Sequence, residues 1–507
     1  MARAVTGRAG VIVGPVGPIA RPAAATPGRR RMRIWTMTPV QMWLLTGIFW
    51  LASSVLALSI RAVVVDSQQT FDAIGAHSEP NLVYAQNLYF VLSALDADAA
   101  SYLLLDAYPS PQLTKDRIRG DYQALRQSAI NLLISADQNV TYSDRERYAV
   151  YRLQTKLHVF DSYVASAWLL SDQGHRADAV AAYEQATDIM QNEVNGILEA
   201  ALDLADINRQ TLNTVNARSQ TQGIEAHLTE LEVGSGLAAL ASLALLMLFL
   251  ARRTRRVFSP PLIVAAGLML ALLVAANQVV TVSGERLRTA KQAYDSVDAL
   301  RQTRALVFDS KADENRYLAD PTRRRLYEAV FLIRSRAVAS FEPRPTLETY
   351  DAALAQQVAM FESGGAPAIE GQLGAALRNV RGDVEPAAAR AALAAYAQFQ
   401  KDDRVLRADV ARNDLPEAVR FSLSSSVSDS QGHLAVLDRD LARWIDINQA
   451  EGDSDLASGT EVLSGWQWIP LAACLLIAIL AYLGIRPRLS EYPTVVATVA
   501  GRLARAR

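Results

Sequence analysis

Four stretches of the 507-residue chain, Val40 to Ile60, Val233 to Ala251, Leu262 to Val282 and Val462 to Ile485, are apolar and free of charged residues. Each approaches or exceeds the roughly 20 residues a helix needs to cross about 30 Å of hydrocarbon. Backbone polar groups find no water there, so runs of this length predict helices whose hydrogen bonds are all internal. The chain reads as a polytopic membrane protein with spans at 39–61, 233–251, 259–282 and 462–485.

The arginines fix an orientation. The segment 1–38 carries Arg3, Arg8, Arg21, Arg29, Arg30, Arg31 and Arg33 with no acid, and the short 252–258 loop carries Arg252, Arg253, Arg255 and Arg256. The 486–507 tail holds five arginines against the single Glu491. By the positive-inside rule all three segments are cytoplasmic, and 62–232 and 283–461 lie outside. The overall charge of −1 hides this division, because the outer segments, counted from Arg61, hold 35 basic against 51 acidic residues, a net of −16. An acidic exterior disfavours nucleic acid as a partner. The inner arginines suit contact with the lipid bilayer, at about 1 kcal/mol each on an anionic leaflet, or with a cytoplasmic partner.

Residues 1–38 are rich in Gly, Pro, Ala and Arg, a composition that cannot bury a core and predicts disorder. The first span is too long and too far from the start for a cleavable signal, so it is expected to remain as an anchor. Trp35, Trp43, Trp50, Trp466, Trp468 and Tyr482 sit at or near span ends, where amphipathic rings prefer the headgroup region. Cys474 is the sole cysteine, and the five histidines show no paired spacing. Neither a disulfide within the chain nor a thiolate or histidine metal site is expected.

Each outer segment is long enough for a domain with its own core. The first reads as four helices: Asp66 to Asp106, ended by the prolines of Tyr108-Pro109-Ser110-Pro111; Gln112 to Ala136; Ser143 to Leu170; and one from about Arg176 into the second span. In the last, Tyr183, Met190, Ile197 and Leu204 recur every seven residues beside Val194, Ala201, Asn208 and Val215. Such columns predict a coiled-coil seam on a single rod on the order of 80 Å long. An up-down helical bundle is the simplest closure.

The second outer segment reads as a copy. Ala97-Asp98-x-x-x-Tyr102-Leu103 is matched by Ala312-Asp313-x-x-x-Tyr317-Leu318, and Ala179-Val180 precedes Asp206-Ile207-Asn208 much as Ala418-Val419 precedes Asp446-Ile447-Asn448. The fold class is thus all-α, two units of span, extracytoplasmic helical bundle and span forming a parallel internal repeat. Gly364-Gly365-Ala366-Pro367 and Gly382-Asp383-Val384-Glu385-Pro386 predict extra short helices in the second copy.

Neither a nucleotide-binding loop nor a nucleophile elbow occurs, and no ionisable residue lies mid-span, so no enzyme, cofactor or ion-coupled pump is expected. Asp98 and Asp313 are candidates for contact with a ligand ammonium or a basic partner, against the plainer reading of a solvated helix face. Asn208 and Asn448 fall in the apolar seam, where a lone Asn fixes register and can divide two packings.

A span feeding a helical bundle that returns into a second span resembles the sensor domains of bacterial chemoreceptors and sensor kinases. The tandem form, with Thr303-Arg304-Ala305-Leu306 and Lys311-Ala312-Asp313-Glu314-Asn315-Arg316-Tyr317-Leu318 opening the second bundle, resembles actinobacterial membrane proteins of the GlnX type. That resemblance implies relay between an extracytoplasmic amino-acid-binding lipoprotein and a soluble cytoplasmic protein kinase. No HAMP-like linker and no kinase region follows any span in the sequence, so neither a chemoreceptor nor a histidine kinase is expected. The alternative expectation is an envelope scaffold or an accessory subunit of a transport or secretion complex.

Overall fold

The computed structural model describes residues 38–73, 79–108, 113–138, 144–192, 194–221, 224–254, 259–365 and 367–489. Most of the predicted disordered tail, the C-terminal tail beyond 489, and Arg255 and Arg256 lie outside them. The described residues form fifteen helices and no strand beyond an isolated bridge between Ser340 and Glu370.

Four helices carry the predicted spans: α1 (Thr38–Ala73), α7 (Ile224–Thr254), α8 (Pro260–Ala319) and α15 (Ile469–Leu489). Their shared core contains Phe49, Leu56, Leu243, Leu246, Met269, Ile477 and Ala481. Leu51, Leu58, Leu237, Leu270 and Leu475 face outward and are exposed. Apolar side chains on the free face are what hydrocarbon demands and water forbids. Trp43 packs on Tyr482 at one end of this group, with ring centroids 6.4 Å apart, and the Arg61 guanidinium lies 5.0 Å from the Trp468 ring at the other. Such rings mark the two interfaces of a bilayer. The protein is a multi-pass membrane protein.

A fifth helix, α2 (Glu79–Ala107), is also long and apolar enough to cross a membrane, which the sequence reading missed. Its surroundings decide otherwise. Within the protein 89% of its apolar stretch is buried, against 22% to 39% for the other four. It is the central core helix of a first module with α3 (Lys115–Gln138), α4 (Asp144–Asp172), α5 (Arg176–Gln191) and α6 (Ile197–Thr221).

Two expected rods are corrected. The helix read from Asp66 to Asp106 is two, since α1 ends at Ala73 and α2 begins at Glu79. The one read from Arg176 into the second span is divided into α5, α6 and α7. Between α5 and α6 the Asn192 side chain accepts hydrogen bonds from the backbone of Val194 and Asn195, folding a turn in place of helix. A Cβ on Gly196 would sit 2.5 Å from the Asn192 carbonyl oxygen, so that turn closes only around glycine. The column Tyr183, Met190, Ile197 and Leu204 is nonetheless wholly buried, because the turn returns α6 to the same core. Val194, placed in the second column, is exposed at the turn.

The long rod belongs to the other half. Helix α8 runs for 60 residues from the third span through the second module, on the order of 90 Å at 1.5 Å per residue. Around it pack α9 (Arg324–Val338), α10 (Tyr350–Glu362), α11 (Gly371–Arg378), α12 (Glu385–Ala411), α13 (Leu415–Leu423) and α14 (Ser430–Leu463). The short α10 and α11 are the predicted extra helices, bounded by Gly364, Gly371 and Gly382 at positive φ. The fourth span starts later than Val462, because α14 ends at Leu463 and Gly465, also at positive φ, turns the chain into α15.

The two modules pack directly on one another along α2 and α8. Phe90 of α2 meets Phe308 of α8 edge to face at 4.9 Å, and Arg304 lies 3.9 Å from the Phe90 ring centre. Arg209 of α6 pairs with Asp298 of α8 at 2.7 Å, and Arg323, just past α8, with Glu184 of α5 at 2.7 Å.

Candidate functional site: a charged seam and a cavity between the modules

The last turns of α8 carry Asp309-Ser310-Lys311-Ala312-Asp313-Glu314-Asn315-Arg316, a run that by composition belongs on a solvated face. Every one of these residues is buried. The end of α8 is enclosed by helices of both modules, so each charge must find its partner inside the protein.

Arg316 supplies the central contact. It donates to Asp96 of α2 at 2.5 Å and to Asp313 at 2.6 Å. Arg334 of α9 pairs with Asp313 and, at 3.1 Å, with Asp309. Gln191, the last residue of α5, donates to Asp96 at 2.9 Å and to Asp309 at 3.0 Å, and accepts from Arg334. Tyr183 donates to Asp96 at 2.8 Å. Helices α2 and α5 of the first module are thus joined to α8 and α9 of the second through three carboxylates and two guanidiniums.

A second polar group lies alongside. Lys311 donates to Glu314 at 2.8 Å, Ser422 of α13 at 2.9 Å and Ser430 of α14 at 3.0 Å. Asn315 donates to the Ala97 carbonyl at 3.2 Å and Ser101 Oγ at 2.9 Å on α2, and accepts from Ser422 at 3.2 Å. Burial raises the Glu314 carboxyl above the usual carboxylate range, opposed by the Lys311 charge.

The four residues singled out from the sequence part company here. Asp313, expected on a solvated face or free for a ligand, is held inside the seam by two arginines. Asn448 is fully buried on α14 and donates to Glu385 Oε1 at 2.8 Å beside Trp444 Nε1 at 2.9 Å, anchoring the start of α12. Asn208 is buried on α6. Asn448 thus serves a buried carboxylate within the second module, away from the contacts of Arg316 and Arg334. Arg252 is exposed at the end of α7; the structure gives no side-chain environment for Arg253, and Arg255 and Arg256 are outside the described residues.

Asp98 alone faces open space. It lines a cavity of about 580 Å³ between the modules, walled by Phe90, Leu113, Leu125, Phe308 and Leu434. Among the described residues no hydrogen bond or ion pair reaches its carboxylate. Burial, and then the nearby Asp121, push its carboxyl up to about 7. The twin motifs thus give one paired and one unpaired aspartate, because Asp313 meets an arginine from α9 and Asp98 meets none.

The shift has a consequence for stability. With a folded value near 7 and an unfolded one of about 4, native Asp98 holds its proton where the unfolded chain has lost it. Its contribution to stability therefore declines as pH rises from about 4 to 7. Asp98→Asn, which never ionises, should melt higher than wild type at pH 8, with the gap closing toward pH 5; a gap independent of pH would contradict this.

Residues 70–217 match the family model of the actinobacterial sensor domain. The match runs from the end of α1 across α2 to α5 and most of α6, nearly all of the first module. No curated protein and no solved structure matches the chain. The match covers less than a third of the chain and points to a sensing role for the module whose α2 and α5 reach the seam. Sequence reasoning missed Asp96, Gln191 and Arg334. Gln191 closes a helix beside a turn the periodicity gave no sign of, and Arg334 lies on the amphipathic α9 that the repeat did not resolve.

Proposed function

We propose that this chain is a non-enzymatic transmembrane sensor and relay, with both modules outside the cell and the basic segments within. The observation that carries the reading is the coincidence of the sensor-family match with the module clamped by ion pairs onto the tip of α8, which continues unbroken into a span. A stimulus that moves α2 against α8 displaces a rod whose other end lies in the membrane. Transmission requires the stimulus to bind two arrangements of that interface with different affinity. The stimulus is a ligand or an amino-acid-loaded binding lipoprotein, and the receiver is a soluble effector such as a protein kinase that meets Arg252, Arg253, Arg255 and Arg256.

A photo-crosslinking amino acid at position 252 in living cells tests this. The expected result is capture of a soluble cytoplasmic protein, with a yield that changes with the amino acids in the medium. Recovery of lipid alone under every condition would refute the relay.

A further inference from the structure

The sensor reading leaves the stimulus open, and the cavity beside the seam narrows it. A volume of about 580 Å³ lies within the range of small-molecule sites. Its wall is largely apolar, with aromatic rings contributed by α2 and α8. Four charged residues line it: Asp98 on α2, Arg117 and Asp121 on α3, and Lys311 on α8. Lys311 has its three donors committed to Glu314, Ser422 and Ser430, and both amide donors of Asn315 are committed to α2. Arg117 and Asp121 face each other at 3.9 Å and are each 62% exposed, which places them at the rim. The polar lining side chains with no hydrogen bond or ion pair among the described residues are Asp98, Ser425 and Gln431, and of these only Asp98 carries a charge.

A half-buried carboxylate with no protein partner is costly, and a cation with hydrogen-bond donors offsets that cost. A bare metal ion does not fit, since no grouping of three metal-ligating side chains exists among the described residues. An anionic or purely apolar occupant would leave the carboxylate unmet.

We infer that this cavity receives a small protonated amine with an apolar body, its ammonium held by Asp98 and its body against Phe90, Phe308 and Leu434. The inference rests on the sensor reading for its biological sense but makes its own chemical claim. An occupant here touches α2, α3 and α8 together, so its binding bears directly on the interface between the modules.

Calorimetric titration of the full-length protein in lipid nanodiscs provides the test, with 2-phenylethylamine and 3-methylbutylamine as probes and 2-phenylethanol and 3-methylbutanol as uncharged counterparts. At least one amine should bind, and its alcohol should bind at least tenfold more weakly. Asp98→Asn should weaken that amine at least tenfold. Ala124→Trp, which fills the cavity from an exposed position on α3 with Asp98 intact, should abolish binding. Equal affinity for amine and alcohol, unchanged binding in both variants, or no binding of either amine at millimolar concentration would overturn the assignment. Amine binding without any change in cross-linking from position 252 would keep the site and refute the relay. A cross-linking response to the medium in a protein that binds neither amine would refute the site and leave the relay standing.

Discussion

Arg316→Ala should destabilise the full-length protein by about 3–5 kcal/mol, the usual result of removing one partner from a buried ion pair. Two carboxylates, Asp96 and Asp313, lose the guanidinium between them in a place that water does not reach. Gln191 and Tyr183 still donate to Asp96, and Arg334 still pairs with Asp313, but neither set replaces the lost charge between the modules. For a helical unit of this size the loss corresponds to a fall in melting temperature on the order of 10 °C. The triple variant Asp96→Asn, Asp313→Asn and Arg316→Met removes the charges together and should recover most of that loss, since a neutral replacement leaves no ion uncompensated. A change of less than 1 °C in the single variant would mean that the seam is hydrated and holds nothing.

The second large effect belongs inside the second module. Trp444 is completely buried on α14, and its indole N–H donates at 2.9 Å to Glu385, itself fully buried at the first turn of α12. Trp444→Ala opens a cavity and removes one donor from a carboxylate that keeps only Asn448 and the Arg381 backbone N–H. Removal of a large aromatic from a core costs about 3–5 kcal/mol, and the weakened Glu385 adds to it. Trp444→Phe should cost much less, and Trp444→Phe combined with Glu385→Gln less again, because the second change removes the charge that the indole served. Equal losses for Ala and Phe would show that the hydrogen bond, not the packing, sets the cost. Thermal unfolding followed by circular dichroism in detergent measures all three.

These two sites show what was legible in the sequence and what was not. The spans were, because an uncharged apolar run of that length has few other uses, and the fourth was misplaced at its start only because Val462 and Leu463 finish α14 before a glycine turn. The column from Tyr183 to Leu204 was legible too, since a buried stripe keeps its period even where the Asn192 turn interrupts the helix. The charged run from Asp309 to Arg316 was not. Composition marks it as surface, and only the two modules closing around the tip of α8 bury it. Helix α2 carries the converse ambiguity, being apolar enough for a membrane and occupied instead as a core. The twin motifs Ala97-Asp98 and Ala312-Asp313 gave no sign of which aspartate would be paired: Asp313 meets Arg316 three residues on and Arg334 from α9, whereas Asp98 meets no arginine among the described residues.

The account as a whole depends on both modules facing the same side of the membrane, opposite the arginines. Single cysteines placed in a Cys474→Ala background at Val194 and Val427, which are 85% and 82% exposed on the first and second modules, and at Arg252 on the other side, test it directly. In intact cells a membrane-impermeant maleimide should label positions 194 and 427 and leave 252 unlabelled until lysis. Labelling of 252 in intact cells, or protection of either module position until the cells are broken, would contradict the orientation and the sensor reading with it.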